Sequence, residues 1–111
     1  MSEAVLLEET MEVVREAHNR GEWNQREWGS TTQGCGTAYC FAGWRIVQDG
    51  GRLVGANTFV MLDGTQLHGA EIGEYSRKRF GLSREQAMTL FASNNKFSDL
   101  EDLVKEYARA A

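Results

Sequence analysis

Two cysteines lie close together in the segment CGTAYCFAGW, residues 35–44, and they are the residues best suited to chemistry. Cys40 falls in the first turn of an expected helix, where the helix dipole and unpaired N–H groups can lower the pKa of a thiol. A cysteine nucleophile also needs a base, and His18 and His68 are the only histidines in the chain. One interpretation is therefore a cysteine-dependent hydrolase or thiol-redox protein that uses Cys40 with His68.

The same segment is also explained as the start of a helix and part of a core. A threonine hydroxyl can accept a hydrogen bond from the first turn, so Thr37 is predicted to cap a helix over residues 38–48. A cysteine thiol usually packs as a small hydrophobe, and a glycine inside a helix permits close approach of another element. We favour this interpretation, in which no residue is catalytic. Its structural residues are Thr37, Cys40, Phe41, Gly43 and Trp44.

Two cysteines and two histidines are also the ligand types of a zinc site. Structural zinc sites usually place their histidines three to five residues apart, as H-x3–5-H, whereas His18 and His68 are separated by about half of the chain. The sequence contains no phosphate-binding loop, no dinucleotide fingerprint and no calcium loop. We therefore expect neither a metal nor a cofactor.

The composition is that of a folded, acidic protein. With 111 residues, 41% hydrophobic and 25% charged, the chain suits one globular domain over residues 1–111. A net charge of −4 disfavours binding to nucleic acid or to an anionic membrane surface. No apolar run reaches the ~20 residues that cross a bilayer, and the N-terminus lacks the basic region of a signal peptide. We expect a cytoplasmic protein whose cysteines are thiols rather than a structural disulfide.

The elements that would position these residues are mainly helical. Hydrophobic residues recur at helical spacing over residues 3–19 and 70–80, and residues 38–48 are apolar nearly all round, as in a buried central helix. Residues 52–62 are rich in β-branched and apolar types around a Gly-Ala-Asn turn, which predicts a small β-hairpin. The expected fold is thus mainly α, with about five helices around the central helix 38–48.

Two more helices are predicted by capping boxes, in which a serine and a residue three positions later cap one another. Ser83 with Gln86 marks the first of these helices, and Ser98 with Glu101 marks the second.

Two tryptophans, Trp23 and Trp28, lie in a segment without sustained periodicity. They can fold back to cover the core, because a tryptophan buries a large apolar area. They can also remain exposed and anchor a partner protein, as aromatic residues do at interface hot spots.

The pattern as a whole resembles a family of small uncharacterised proteins of actinobacteriophages, mycobacteriophages especially, and of some bacteria. The resemblance rests on Trp23-Asn24-Gln25 with Trp28, on CGTAYCFAGW, on FGLSREQAMTLF and on the final Ser-Asp-Leu-Glu-Asp-Leu helix. Arg45 departs from it, since a small residue is expected after Trp44. The resemblance implies a bacterial cytoplasm during phage infection, where small accessory proteins often bind and redirect a host protein.

These observations favour a small non-enzymatic accessory protein of the phage type that binds a protein partner. The partner would be a host bacterial protein or a second copy of this chain, and Trp23 and Trp28 are the candidate contact residues. The alternative remains the cysteine-dependent enzyme that uses Cys40 with His68.

Overall fold

The structure is a computed structural model that describes residues 3–21, 29–32, 36–55, 57–92 and 94–110. Of residues 29–32 and 36–39 it describes the backbone alone. Within these ranges the chain forms five helices and two small antiparallel sheets. The helices are α1 Glu3–Arg20, α2 Phe41–Gln48, α3 Ala70–Phe80, α4 Arg84–Leu90 and α5 Phe97–Ala110. The strands are β1 Gly29–Thr32, β2 Gly36–Tyr39, β3 Arg52–Gly55, β4 Thr58–Val60 and β5 Gln66–His68.

The short helix α2 lies between two groups of buried apolar side chains, as expected for a central helix. On one side its Phe41 and Trp44 join a large cluster with apolar residues of α1, α3, α4 and α5. On the other side Ile46 joins a smaller cluster with Phe59 and Leu67 of the sheet and with Ile72 of α3. The mainly helical fold predicted from the sequence is therefore confirmed. None of the described helices is long and apolar enough to cross a bilayer.

The predicted start of the central helix is wrong. Thr37 does not cap it, because residues Gly36–Tyr39 form β2 and pair with β1, with Thr37 opposite Thr31. The helix starts at Phe41, and Cys40, with extended backbone angles, takes the N-cap position. Strand pairing between segments rich in threonine thus overrides the capping preference of a single threonine.

The second sheet contains the predicted hairpin and one further strand. The strands β3 and β4 match the expected hairpin within residues 52–62. The third strand, β5, pairs with β4 through a turn in which the backbone N–H of Thr65 donates to Asp63 Oδ1 at 2.9 Å. Only three residues long, β5 leaves no clear alternating pattern in the sequence.

The last two helices differ in how closely they follow their predicted capping boxes. Ser83 caps α4 because its hydroxyl accepts the backbone N–H of Gln86, and the side-chain oxygen of Gln86 accepts the backbone N–H of Ser83. The start predicted for α5 is wrong, because the helix begins at Phe97 and Ser98 lies inside it. The Asp99 carboxylate accepts a hydrogen bond from the backbone N–H of Lys96 at 2.9 Å. Asp99 therefore caps the chain at Lys96, the residue just before α5.

Candidate functional site

Cys40 lies in the core, and only 1% of its surface is exposed. Its sulfur accepts a hydrogen bond from the Gly43 backbone N–H at 3.4 Å. Burial raises the pKa of the thiol to about 11, since a thiolate would lose its hydration there, and the Gly43 N–H opposes this rise without cancelling it. At neutral pH the side chain is therefore a protonated thiol enclosed by protein.

His68 lies in a different environment. Its side chain is exposed on β5, and its Nδ1 is 3.3 Å from Thr58 Oγ1 on the neighbouring strand. A buried thiol and an exposed imidazole share no open site, so the structure does not bring together the pair that thiol chemistry would require. Trp23, Trp28 and Cys35 lie outside the described residues.

Three further residues singled out from the sequence lie in the buried part of α2. Phe41, Gly43 and Trp44 are all buried. Next to Gly43, the buried hydroxyl of Ser76 on α3 donates to the Ala42 carbonyl at 2.8 Å. A side chain as short as serine reaches the backbone of α2 only because the two helices cross closely at this point.

One side of α3 joins α2 through a group of charged and polar side chains, which we call the Asp49 cluster: Arg45, Asp49, Tyr75 and Arg79. The Asp49 Oδ1 accepts hydrogen bonds from Arg45 at 2.8 Å and from Arg79 at 3.2 Å. The Oδ2 accepts from Arg79 and from the Tyr75 hydroxyl, both at 2.8 Å. The carboxylate is thus surrounded by donors from its own chain.

Arg45 is the most deeply buried member of the cluster, with 4% of its surface exposed. Besides Asp49 it contacts α1, where its Nη1 donates to Thr10 Oγ1 at 3.3 Å and lies 4.0 Å from Glu9 Oε1. This is the position at which the phage family resemblance predicts a small residue. The arginine is accommodated because a carboxylate four residues further along α2 neutralises it.

The protonation states of the cluster follow from these contacts. Burial alone would raise the pKa of Asp49, but hydrogen bonds from Arg79 and Tyr75 and the charge of Arg45 outweigh it and lower that pKa. Burial and the hydrogen bond to Asp49 raise the pKa of Tyr75 to about 12. At neutral pH the carboxylate is charged and the phenol is protonated, which is the arrangement that best joins α2 to α3.

A shallow cleft of about 320 Å³ borders this cluster. Apolar side chains of the β4–β5 region, Met61, Leu62 and Leu67, line it together with Asp49 and Tyr75. The polar groups of Asp49 and Tyr75 that reach the cleft are already bonded to one another. Asp63 and Thr65 also line the cleft, and the Asp63 carboxylate already accepts the backbone N–H of Thr65.

A second and larger depression, of about 440 Å³, lies between α3 and α4, and we call it the α3–α4 groove. Each wall is one stripe of a helix, with residues at positions i, i+3, i+4 and i+7. The wall from α3 comprises Ala70, Gly73, Glu74 and Arg77, and the wall from α4 comprises Arg84, Ala87, Met88 and Phe91. Small residues line the floor, and 75% of the Met88 surface is exposed.

The charged side chains of the groove differ in how they are paired. Arg77 donates two hydrogen bonds to Glu74, at 2.6 and 3.0 Å, and a third to the Leu82 carbonyl at 3.1 Å. The hydrogen bond from Arg77 lowers the pKa of Glu74, and the charges of Lys78 and Arg84 add to this effect. The Arg84 side chain is exposed and makes no salt bridge or hydrogen bond within the described part of the chain.

The angle between the two walls is fixed by a short connection over residues 81–83. Gly81 adopts a left-handed backbone conformation with φ 67°, and the backbone N–H of Leu82 donates to the Arg77 carbonyl at 3.0 Å. This arrangement is a Schellman cap, and Ser83 starts the next helix directly after it. The backbone groups of both helix ends are therefore capped at this connection.

The sequence contained a signal for this groove that the core pattern obscured. The stripes of α3 and α4 repeat at helical spacing, but they lie beside the buried faces and contain alanine, glycine and charged residues. Met88 is the clearest marker, because a large apolar residue follows Arg84 by one helical turn and lies outside the core. The cysteines and tryptophans are more conspicuous in the sequence than these stripes.

Comparison with known proteins finds no matching family model, no matching curated protein and no matching solved structure. Within the residues that the structure describes, no group of three or more His, Cys, Asp or Glu side chains is arranged to hold a metal ion.

Proposed function

We propose that this protein is a small non-enzymatic accessory protein of the phage type that acts by binding another protein through the α3–α4 groove. The observation that carries the proposal is the groove itself, two helical walls with a large, mostly exposed methionine at its edge. A concave and mostly apolar surface with a few polar groups beside it is a usual place for a binding site. The expected partner is a host bacterial protein, with a second copy of this chain as the other possibility.

The environment of Cys40 supports a non-enzymatic role. A nucleophilic thiol is normally partly exposed and has a lowered pKa, whereas this thiol is buried and its pKa is raised. The contacts of Cys40 are those of a core residue at a helix cap, so the cysteine-dependent activity that uses His68 gains no support from its surroundings.

A binding experiment with matched variants tests the proposal. The wild-type protein, Met88→Asp and Leu62→Asp are immobilised and exposed to lysate of an actinobacterial host. Leu62 is the control, because 85% of its surface is exposed but it lies on the β4–β5 turn, outside the groove. We expect one protein to be retained by the wild type and by Leu62→Asp and lost with Met88→Asp.

The retained protein is then purified and its affinity for the three proteins is measured. A Kd that is weakened at least tenfold by Met88→Asp alone supports the groove as the binding site. Equal affinity for all three proteins excludes the groove from the function. Sedimentation of the wild type alone tests self-association, which Met88→Asp would abolish if the partner were a second copy.

A further inference from the structure

We infer that the α3–α4 groove receives an acidic amphipathic helix of another protein, whose apolar side chains cover Met88 and Phe91 while one of its carboxylates pairs with Arg84. This inference rests on the proposed function and names the chemistry of the partner.

The shape of the groove fits a helix. Two consecutive helices each present a stripe at i, i+3, i+4 and i+7, and the buried Gly73 and Ala87 are small enough for a third helix to approach closely. A partner helix with apolar residues at the same spacing would place them between the two stripes, as in other helix-in-groove complexes. The apolar lining suits such a helix better than a phosphate backbone, which needs several available cations.

The charge of the groove selects for an acidic partner. Two arginines and one glutamate line it, which makes it locally positive on a chain of net charge −4. Arg77 and Glu74 satisfy one another, so Arg84 is the cation that remains for a partner. The carboxylate of the neighbouring Glu85 lies elsewhere, because Glu85 lines a separate depression with Gln86, Thr89 and Tyr107.

The position of Arg84 in its own helix strengthens this argument. It follows the N-cap Ser83 directly, and the positive end of a helix dipole disfavours a cation in the first turn. The charge of Arg84 acts on Glu74, but no salt bridge or hydrogen bond within the described residues holds the guanidinium, so local contacts alone do not explain an arginine at this position.

The same charge argues against a second copy of this chain as the occupant. A dimer with two-fold symmetry would press the same patch of each copy against the other. The two groove faces would then carry the same excess of two arginines over one glutamate, and like charge on both sides of an interface is unfavourable.

The test uses a yeast-displayed library of random peptides of about 15 residues, long enough to form a helix on binding. The library is selected against the wild type and against Arg84→Glu, and peptides that still bind Met88→Asp are removed. We expect wild-type binders with apolar residues at helical spacing and an Asp or Glu beside them. Binders of Arg84→Glu should instead carry Lys or Arg.

One wild-type binder is then synthesised and its affinity is measured. Arg84→Glu should weaken it by about tenfold or more, because an attraction becomes a repulsion. Arg52→Glu, which changes the net charge equally at an exposed site on β3, should leave the affinity within about twofold. Unchanged thermal midpoints for the exposed-site variants would show that folding is retained.

The outcomes separate the two proposals. Peptides that depend on Met88 but carry no acidic residue and ignore Arg84→Glu would overturn the inference and leave the proposed function intact. A library without any Met88-dependent binder would overturn the inference, and the lysate experiment then decides the proposed function. A dimer in solution that Met88→Asp dissociates would replace the acidic helix with a second copy and overturn the inference alone.

Discussion

Both sides of α3 carry an arginine, but the two sides differ in how the charged side chains around them are paired. On one side Tyr75 and Arg79 bond Asp49 at the end of α2, and every oxygen of that carboxylate accepts hydrogen bonds from the same chain. On the other side Gly73 and Arg77 line an open groove, where Arg84 of α4 points outward without an ion pair in the described residues. On the first side the charged residues join α3 to α2. On the second side Arg84 and Met88 remain exposed.

This difference separates stability from binding. A buried charge must be paired, because the cost of removing it from water is large. An exposed arginine or methionine needs no partner within its own chain, so its position is more informative about binding to another molecule. Substitutions in the Asp49 cluster should therefore change the free energy of unfolding, and substitutions of the exposed groove residues Arg84 and Met88 should change binding alone.

The largest expected effect is that of Asp49→Ala. It would leave the buried Arg45 without its carboxylate, and breaking one partner of a buried ion pair costs about 3 kcal/mol or more. Urea unfolding followed by circular dichroism measures this loss. The control is Asp63→Ala, an exposed aspartate in a turn, which should cost less than about 1 kcal/mol. Equal losses for the two variants would contradict the buried-pair description.

Acid titration sharpens the same comparison. Because the pKa of Asp49 is lowered in the folded state, its stabilisation is complete above the ordinary aspartate pKa of ~3.9. It is lost as the pH falls through the lower, folded-state value. The difference in unfolding free energy between wild type and Asp49→Ala should therefore be constant near neutral pH and shrink below about pH 4. If the difference in unfolding free energy grew on acidification, the pKa of Asp49 would be raised in the folded state and not lowered.

The next effect in size is that of Cys40→Ala, which should destabilise the protein by ~1–2 kcal/mol through lost packing. The helix cap to Gly43 is lost with it. In a Cys35→Ser background, the Cys40 thiol of the folded protein should react with a thiol reagent only as fast as the protein opens. Fast alkylation at neutral pH, or loss of function in folded Cys40→Ala, would restore the chemical interpretation of this residue.

A smaller effect is expected at the two serines that the sequence presents as equivalent caps. Ser83→Ala removes the hydrogen bond that the Ser83 hydroxyl accepts from the backbone N–H of Gln86, and should cost ~1 kcal/mol of stability. Ser98→Ala lies inside α5 and should be neutral or slightly stabilising, since alanine is the better helix former. Thermal unfolding of the two variants checks this difference, and equal destabilisation would argue that Ser98 does cap α5.

The smallest effect on stability is expected for Met88→Asp. The side chain is largely exposed, so the unfolding free energy should stay within about 0.5 kcal/mol of the wild type. The same variant should lose partner binding. A large loss of stability would show that Met88 supports the packing of α4, and the separation of the two sides of α3 would then fail.

The regular elements were largely predictable from the sequence, because their signals are local. The stripe of α1, the bounds of α3 and the capping box at Ser83 each depend on residues within a turn or two of one another. The strands β1 and β2 are not predicted, because their stability comes from pairing with one another. Thr37 illustrates the conflict, since its type favours both a helix cap and a strand.

The candidate site was less predictable than the fold. A groove is a property of two helices at a particular angle, and that angle depends on the backbone of residues 81–83 rather than on the residues that line the groove. Arg45 shows the same limit. The sequence does not explain a charged residue in an apolar helix, but the structure does, because Arg45 bonds Thr10 and shares the Asp49 carboxylate with Arg79.

The connection over residues 81–83 also affects the order in which the protein folds. The walls of the groove come from consecutive residues 70–91, so bringing them together closes a very short loop at little entropic cost. Contacts local in sequence form quickly, whereas the Thr10–Gln48 contact of α1 with α2 spans 38 positions. We expect amide hydrogens of α3 and α4 to gain protection from exchange early in refolding. The α3–α4 groove would then form before α1 packs against α2.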